Sequence, residues 1–207
     1  MRALVFLLGG AIALTSSWAK AAPIYADQVI DFFNSGAGPI DVGPYGGTEV
    51  PANYPVTVPF SYATDQDPNT FVSLPTGSYL TLGFTSGFVF DGPGNDIFIS
   101  EPGASAELAD VFVSSDFGAT FTYLGIANGG VLTALDLATI SYMGQVNAIK
   151  IVGLDNLGSL PGFDLAFVQD LEGSAIETPL PAALPMFLAG LAGLGWLARR
   201  RQKHAAA

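Results

Sequence analysis

The sequence contains no cysteine, and its one histidine, His204, lies near the C-terminus. Arg2, Lys20, Arg199, Arg200, Arg201 and Lys203 sit in the two ends, which leaves Lys150 as the single basic residue between positions 22 and 178. Each absence excludes a chemistry. Without cysteine, no disulfide can brace the fold in any compartment. Triads built on histidine, and zinc sites built on cysteine or histidine, lack the group that would take the proton or bind the metal. One lysine cannot neutralise a run of phosphates, so nucleic acid is excluded as a partner. Acid, by contrast, is abundant. All eighteen Asp and Glu residues lie between Asp27 and Glu177, and set against one lysine they give residues 22–178 a formal charge of −17. Half of the 207 residues are hydrophobic and 12% are charged, which is the composition of a folded chain with room for one ordinary domain.

The two ends carry address patterns. Met1 and Arg2 precede an apolar run from Ala3 to Leu14 and a small-residue segment ending in Ala19-Lys20-Ala21-Ala22, the order of a secretory signal peptide. Cleavage is expected after Ala21, with Ala19 and Ala21 in the small-residue positions and Pro23 second in the mature chain. Cleavage after Ala19 is the alternative, and an uncleaved anchor is disfavoured because the run is short for a bilayer. At the other end, Thr178-Pro179-Leu180-Pro181-Ala182 precedes an apolar stretch from Ala183 to Ala198 and then Arg199-Arg200-Arg201-Gln202-Lys203. At about 1.5 Å per residue, a helix from Leu180 to Ala198 just spans a hydrocarbon core. The basic cluster would stay in the cytoplasm, leaving everything before it outside.

Motif, single apolar segment and terminal Arg cluster together resemble the PEP-CTERM sorting signals, in the variant written Val-Pro-Leu-Pro-Ala, with Thr178 here in place of the valine. The resemblance covers residues 178–207. It implies that Pro179, Leu180, Pro181 and Ala182 form a sorting motif read by an exosortase-type membrane peptidase, in Gram-negative bacteria that make exopolysaccharide. The C-terminal helix would then be a transient membrane anchor. A plain single-span membrane protein is the alternative.

Between these ends the expected organisation is one secreted domain, residues 22–177, of all-β class. Short β-branched and aromatic runs recur between turns rich in Gly, Pro, Asp, Ser and Thr. The predicted strands are Tyr25–Phe33, Val56–Phe60, Phe71–Leu74, Ser78–Phe84, Asp96–Ser100, Leu108–Ser114, Thr120–Ile126, Gln145–Val152 and Phe163–Gln169. Val131–Ile140 has a helical alternative, weakened by Thr133, Thr139 and Gly129-Gly130. Many short strands with turn chemistry between them point to an antiparallel β-sandwich, and no fixed-period repeat suggests a solenoid or propeller. Residues 34–55, rich in Gly and Pro, read as a long loop.

Three constellations could carry chemistry. The first is Asp91-Gly92-Pro93-Gly94-Asn95-Asp96, with Glu101 nearby. Calcium takes six to eight oxygen ligands, and a Gly-rich turn with Asp91, Asn95 and Asp96 offers both oxygens and curvature. Pro93 and Pro102 break the EF-hand pattern, and a hairpin turn in which Asp and Asn cap their own backbone fits as well. The second, Ser114-Ser115-Asp116-Phe117-Gly118-Ala119-Thr120-Phe121, resembles the Asp-box hairpin, in which Ser, Asp and Thr bond the turn and the aromatic residue anchors it in the core. Sialidases use several copies and also need Arg, so the single copy here is expected to be structural. The third is Gly162-Phe163-Asp164-Leu165-Ala166-Phe167-Val168. Period two puts Phe163, Leu165 and Phe167 on one face and Asp164, Ala166 and Val168 on the other. An aspartate among apolar neighbours needs a partner, which a calcium ion or backbone amides would supply.

The order of Gly77–Phe84, the Asp91 turn, Ala106–Ser114, Val146–Ile151 and Phe163–Leu165 resembles the jelly-roll domains of bacterial surface proteins related to galactose-binding and discoidin-like modules. That likeness implies a structural calcium, and sugar binding in some members. The unbalanced charge of the domain points to a divalent ion independently, with Asp91, Asn95 and Asp96 as first ligands because Gly92 and Gly94 let the backbone turn tightly, and with Glu101, Glu107 and Asp164 as further ones. The leading functional expectation is a non-catalytic, exported protein of the cell surface or exopolysaccharide matrix with calcium-stiffened loops. A carbohydrate-binding module is the alternative, favoured if aromatic residues line one sheet face. A glycosidase comes last, since nothing selects an acid and a nucleophile from eighteen scattered carboxylates.

Overall fold

The computed structural model describes residues 22–103, 106–130, 132–157, 160–171 and 175–177. The signal segment with Ala21, and the sorting motif from Pro179 to Ala182 with the apolar stretch behind it, lie outside the described residues. Fourteen strands run in chain order: β1 (Gln28–Phe33), β2 (Tyr45–Thr48), β3 (Asn53–Thr57), β4 (Thr70–Leu74), β5 (Tyr79–Gly83), β6 (Gly87–Val89), β7 (Ile97–Ser100), β8 (Leu108–Ser114), β9 (Thr122–Asn128), β10 (Thr133–Leu135), β11 (Ala148–Gly153), β12 (Phe163–Leu165), β13 (Phe167–Asp170) and β14 (Ala175–Glu177). Among the described residues the only helical elements are 3₁₀ turns at Phe60–Ala63 and Leu137–Ile140, and no helix is long and apolar enough to cross a membrane.

Every strand pairing is antiparallel. One layer is a five-stranded sheet in the order β1-β5-β11-β8-β9. Opposite it lie a four-stranded sheet, β12-β4-β2-β3, and a three-stranded one, β10-β7-β13, while β14 and β6 form a separate ribbon. The alternation of antiparallel strands, one face in and one face out, builds the core. Leu80 and Leu82 from β5, Val111 and Val113 from β8, and Ile149 and Ile151 from β11 share one buried cluster with Val72 and Leu74 from β4, Ile97 and Ile99 from β7, and Phe163 and Leu165 from β12. This is an antiparallel β-sandwich. Its layers approach closely at Gly153, where an added Cβ would lie 1.9 Å from the carbonyl oxygen of Leu74.

Three expectations are corrected. The Gly- and Pro-rich stretch 34–55 is not one loop, because it contains β2 and the start of β3. Gly46 and Gly47 are glycine for packing: a Cβ on Gly46 would lie 2.1 Å from the Phe71 oxygen, and one on Gly47 would lie 2.2 Å from the Asn53 oxygen. The predicted strand Phe163–Gln169 is two strands in different sheets, broken at Ala166, whose amide donates to Ser100 O. Side-chain alternation resets there, so that Phe163, Leu165 and Val168 all reach the core while Phe167 is half-buried. Phe60, expected at the end of a strand, instead begins a 3₁₀ turn.

Candidate functional site

The acids singled out in the sequence fall into two clusters. Asp91 and Asp96 meet Asp136, which the sequence did not suggest, whereas Glu101, Glu107 and Asp164 meet each other; in each group one oxygen per residue lies within 4.8 Å of the others. Asn95 is exposed on the turn between Asp91 and Asp96.

In the first cluster Asp96 and Asp136 turn oxygens to nearby backbone amides. Asp96 accepts from the amides of Gly92 at 2.8 Å and Leu137 at 2.8 Å, and Asp136 accepts from Ala138 N at 2.7 Å, capping the 3₁₀ turn. These bonds close the turn and tie it to the segment after β10, the role in which short acids cap neighbouring amides. Asp91 lines a shallow pocket with Phe90, Tyr142, Met143 and Gly144.

The second cluster is different in kind. Glu101 follows β7 directly, Glu107 immediately precedes β8, and Asp164 is the middle residue of β12, placed opposite Ser73 of β4. Their side chains are withdrawn from solvent, with 6%, 1% and 7% of their surface exposed. Glu101 Oε2 accepts from Gly130 N at 2.6 Å, and Asp164 Oδ1 accepts from the Ser73 hydroxyl. Oε1 of Glu101 and Oε1 of Glu107 are buried without any hydrogen-bond partner. Beside them the phenol of Tyr45 donates to Pro161 O.

Burial dominates the electrostatics here. Desolvation pushes Glu101 up to about 7, against the pull of the Gly130 amide, and the Glu49 charge adds to the rise. Glu107 is pushed up to about 8 by desolvation and then by Glu101 and Asp155. Asp164 reaches about 9, again through desolvation first, with the Ser73 bond opposing and Glu107, Glu101 and Glu49 adding. The same burial and the charges of Asp164 and Glu107 raise the Tyr45 phenol. Three carboxylates converging with no basic side chain among them have two chemical outlets, protons or a cation.

The Asp-box hairpin is held by its own side chains. Ser114 Oγ donates to Asp116 at 2.7 Å and accepts from Gly118 N at 2.9 Å; Thr120 donates to Asp116 from its amide at 2.8 Å and its hydroxyl at 2.7 Å. Asn147, from outside the motif, accepts from Phe117 N and donates to Ser115 O, both at 2.8 Å. Phe121 does not anchor the hairpin in the core. It is half-buried on the outer face of the five-stranded sheet, with its ring 5.3 Å from Lys150 Nζ.

That outer face is the second feature of note. Strand register runs two rows across it: Phe33, Tyr79, Val152, Asp110, Ile126, and Asp31, Thr81, Lys150, Phe112, Tyr123. Phe33 stacks on Tyr79 at 5.7 Å, and Phe112 meets Tyr123 edge to face at 5.4 Å. Lys150 Nζ lies 3.9 Å above the Tyr79 ring, and Tyr79 donates to Asp31 at 2.9 Å. Phe33 and Tyr123 are nearly half exposed, so no described residue covers the two ends of the face.

Comparison with known proteins gives distant likenesses. No family model matches the chain, and no curated protein does either. Among solved structures, the chain is similar to a family 32 carbohydrate-binding module (CBM32) of AlyQ, in complex with 4,5-unsaturated mannuronic acid, with 16% identity over 54% of this chain and 84% of that one and a TM-score of 0.39. It is also similar to the CBM32-1 module of a family 31 glycoside hydrolase from Clostridium perfringens, with 13% identity, 54% and 83% coverage and a TM-score of 0.40. A truncated AlyQ with CBM32 and alginate lyase domains matches at 18% identity over 81% of this chain and 37% of that one, with a TM-score of 0.44. The fold assignment rests on the strand order and core described above.

Proposed function

We propose that the chain is an exported, non-catalytic module of jelly-roll type that binds neutral polysaccharide across the outer face of its five-stranded sheet, and that an exosortase-type peptidase sorts it to the cell surface or matrix. The observation that carries this reading is the aromatic face itself. Rings at both ends, Phe33 with Tyr79 and Phe112 with Tyr123, offer flat apolar surfaces to the C–H faces of sugar rings. Asp31, Asp110 and Lys150 between them supply acceptors and a donor for hydroxyls, the mixture of rigid aromatics and few polar groups that recognition sites use. Neutral chains are favoured because a domain of formal charge −17 repels acidic polymers. Burial of the carboxylate cluster, with 6%, 1% and 7% of its three residues exposed, supports the non-catalytic part. The address patterns at the two ends support export and sorting.

Affinity electrophoresis of the full chain through gels containing neutral or acidic polysaccharide tests this. Retardation by at least one neutral polymer, lost in Tyr123→Ala and Tyr79→Ala without a fall in melting temperature, is the expected result. Equal mobility in every polymer, or retardation that survives both substitutions, refutes it. A concentration-dependent dimer broken by the same substitutions would assign the face to a second copy of the chain.

A further inference from the structure

Apart from the aromatic face, the buried carboxylate cluster is the feature of this molecule with the least internal explanation. Most buried polar groups have a partner, and each that lacks one asks for a reason. Here two lack one at the same spot. Oε1 of Glu101 and Oε1 of Glu107 are both buried and unpartnered, and both residues converge on Asp164. Leaving an acceptor unpaired in the interior is costly, and doing so twice beside a third carboxyl is more so. Glu101 and Glu107 flank the single connection between β7 and β8, and Asp164 joins them from the centre of β12, so it is the packing of β12 against that connection, and not a local turn, that completes the group. The Asp91, Asp96 and Asp136 group makes the contrast: both oxygens of Asp96 and one of Asp136 accept from the amides of Gly92, Leu137 and Ala138, and no buried oxygen of the three lacks a partner.

We infer that Glu101, Glu107 and Asp164 form an interior site for one divalent, oxygen-preferring cation, calcium before magnesium, and that the Asp91 turn, which the sequence favoured, is a backbone cap and not the metal site. The donor set is all oxygen and all carboxylate, the chemistry of a hard cation; no nitrogen or sulfur ligand is present to select a transition metal. Three carboxylates fall short of the six to eight oxygens calcium takes, so backbone carbonyls or water complete the shell. Magnesium is disfavoured because it demands near-octahedral geometry and gives up its water reluctantly. The raised proton affinities of the three acids are what the same burial produces when protons take the cation's place.

The test uses the full chain, first stripped with chelator and then titrated with calcium or magnesium chloride. A cation that binds the folded state and not the unfolded chain raises the melting temperature; at about a hundred times its Kd the rise should be roughly 5–10 °C for a domain of this size. Native mass spectrometry should count one calcium per chain. Glu107→Gln and Asp164→Asn keep the side-chain shape and remove charge. In chelator these variants should therefore melt at or above the wild type, while their calcium-dependent rise falls to less than a third. A purely structural role for the acids would not produce that opposite response. Asp91→Ala and Asp136→Asn should keep the full rise. Terbium luminescence excited through tyrosine gives a readout independent of melting, since Tyr45 adjoins the cluster; it should appear in the wild type, be displaced by calcium, and be lost in Glu107→Gln. Identical melting in chelator and in excess calcium, with no terbium signal, overturns the proposal, as does a calcium response lost in Asp91→Ala but kept in Glu107→Gln. Polysaccharide retention that survives chelation leaves the sugar-binding reading standing when this one fails.

Discussion

Ile151 is the most direct probe of the sandwich. It lies in β11, the central strand of the five-stranded sheet, and is fully buried, whereas its neighbours Lys150 and Val152 lie on the opposite face and are half-buried. Replacing Ile151 by alanine removes three carbons, worth about 2.4 kcal/mol at about 0.8 kcal/mol each. The cavity left behind adds about 1 kcal/mol, since the surrounding strands relax only partly, giving about 3–4 kcal/mol in total. For a domain of this size that lowers the melting temperature by roughly 6–15 °C. Val152→Ala, on the solvated face, should cost less than about 1 kcal/mol. Urea denaturation at fixed calcium, with unchanged slopes, would show that the loss is one of stability. Should Val152→Ala prove the more damaging of the two, the strand is shifted by one residue. Its outward row would then face the core, and the reasoning about both the core and the aromatic face would fail.

The Asp-box hairpin gives an acid-limb prediction. The Thr120 amide, the Ser114 and Thr120 hydroxyls and the Ala119 amide hold the Asp116 carboxyl down at about 2, below its ordinary 3.8. A lowered folded value means stability that is present above about pH 4 and lost as pH falls through about 2, so the gap in melting temperature between wild type and Asp116→Ala should narrow over that window. Asn147→Ala removes two hydrogen bonds to the same hairpin and should cost about 1–2 kcal/mol, with faster amide exchange at Phe117 as the local sign. In chelator the buried cluster has the opposite sign: folded values of about 7, 8 and 9 lie above the ordinary carboxyl range, so stability should fall as pH rises from about 4.5 through about 9. A melting temperature that climbs with pH over that range in chelator would contradict the burial argument.

Much of the sheet was legible because its strands alternate. Leu108–Ser114 forms β8 with the predicted bounds, and Phe71–Leu74, Asp96–Ser100 and Ser78–Phe84 each differ from β4, β7 and β5 by one residue at one or both ends. Leu80, Leu82, Val111 and Ile149 could be placed on an inner face by period alone. Glycine misled where it served packing, since Gly46 and Gly47 look like loop residues until the Phe71 and Asn53 carbonyls are seen beside them. Short strands such as Gly87–Val89 carry too few residues for any period to register. At the acids, residue type was informative and grouping was not. Asp164 stood out as an acid in an apolar strand, but its neighbours Glu101 and Glu107 are 63 and 57 positions away, and sequence spacing favoured the compact Asp91 turn. Asp136 gave no signal beyond its place before a short apolar segment, and the outer aromatic rows became visible only through cross-strand register.

Lys150 has a consequence for the lifetime of the domain in the presence of proteases. Between positions 22 and 178 a protease of trypsin-like specificity has a single bond to cut, the one after this residue. That bond lies inside β11, hydrogen-bonded on one side to β5 and on the other to β8. A protease needs a freed, extended stretch of chain, and freeing this one means parting the central strand from both neighbours. Such opening belongs to the high-energy end of native-state fluctuations, close to global unfolding. Trypsin therefore works as a clock on this domain: the appearance of one pair of fragments, with no earlier nicking at loops, reports the rate or the population at which the whole sheet comes apart.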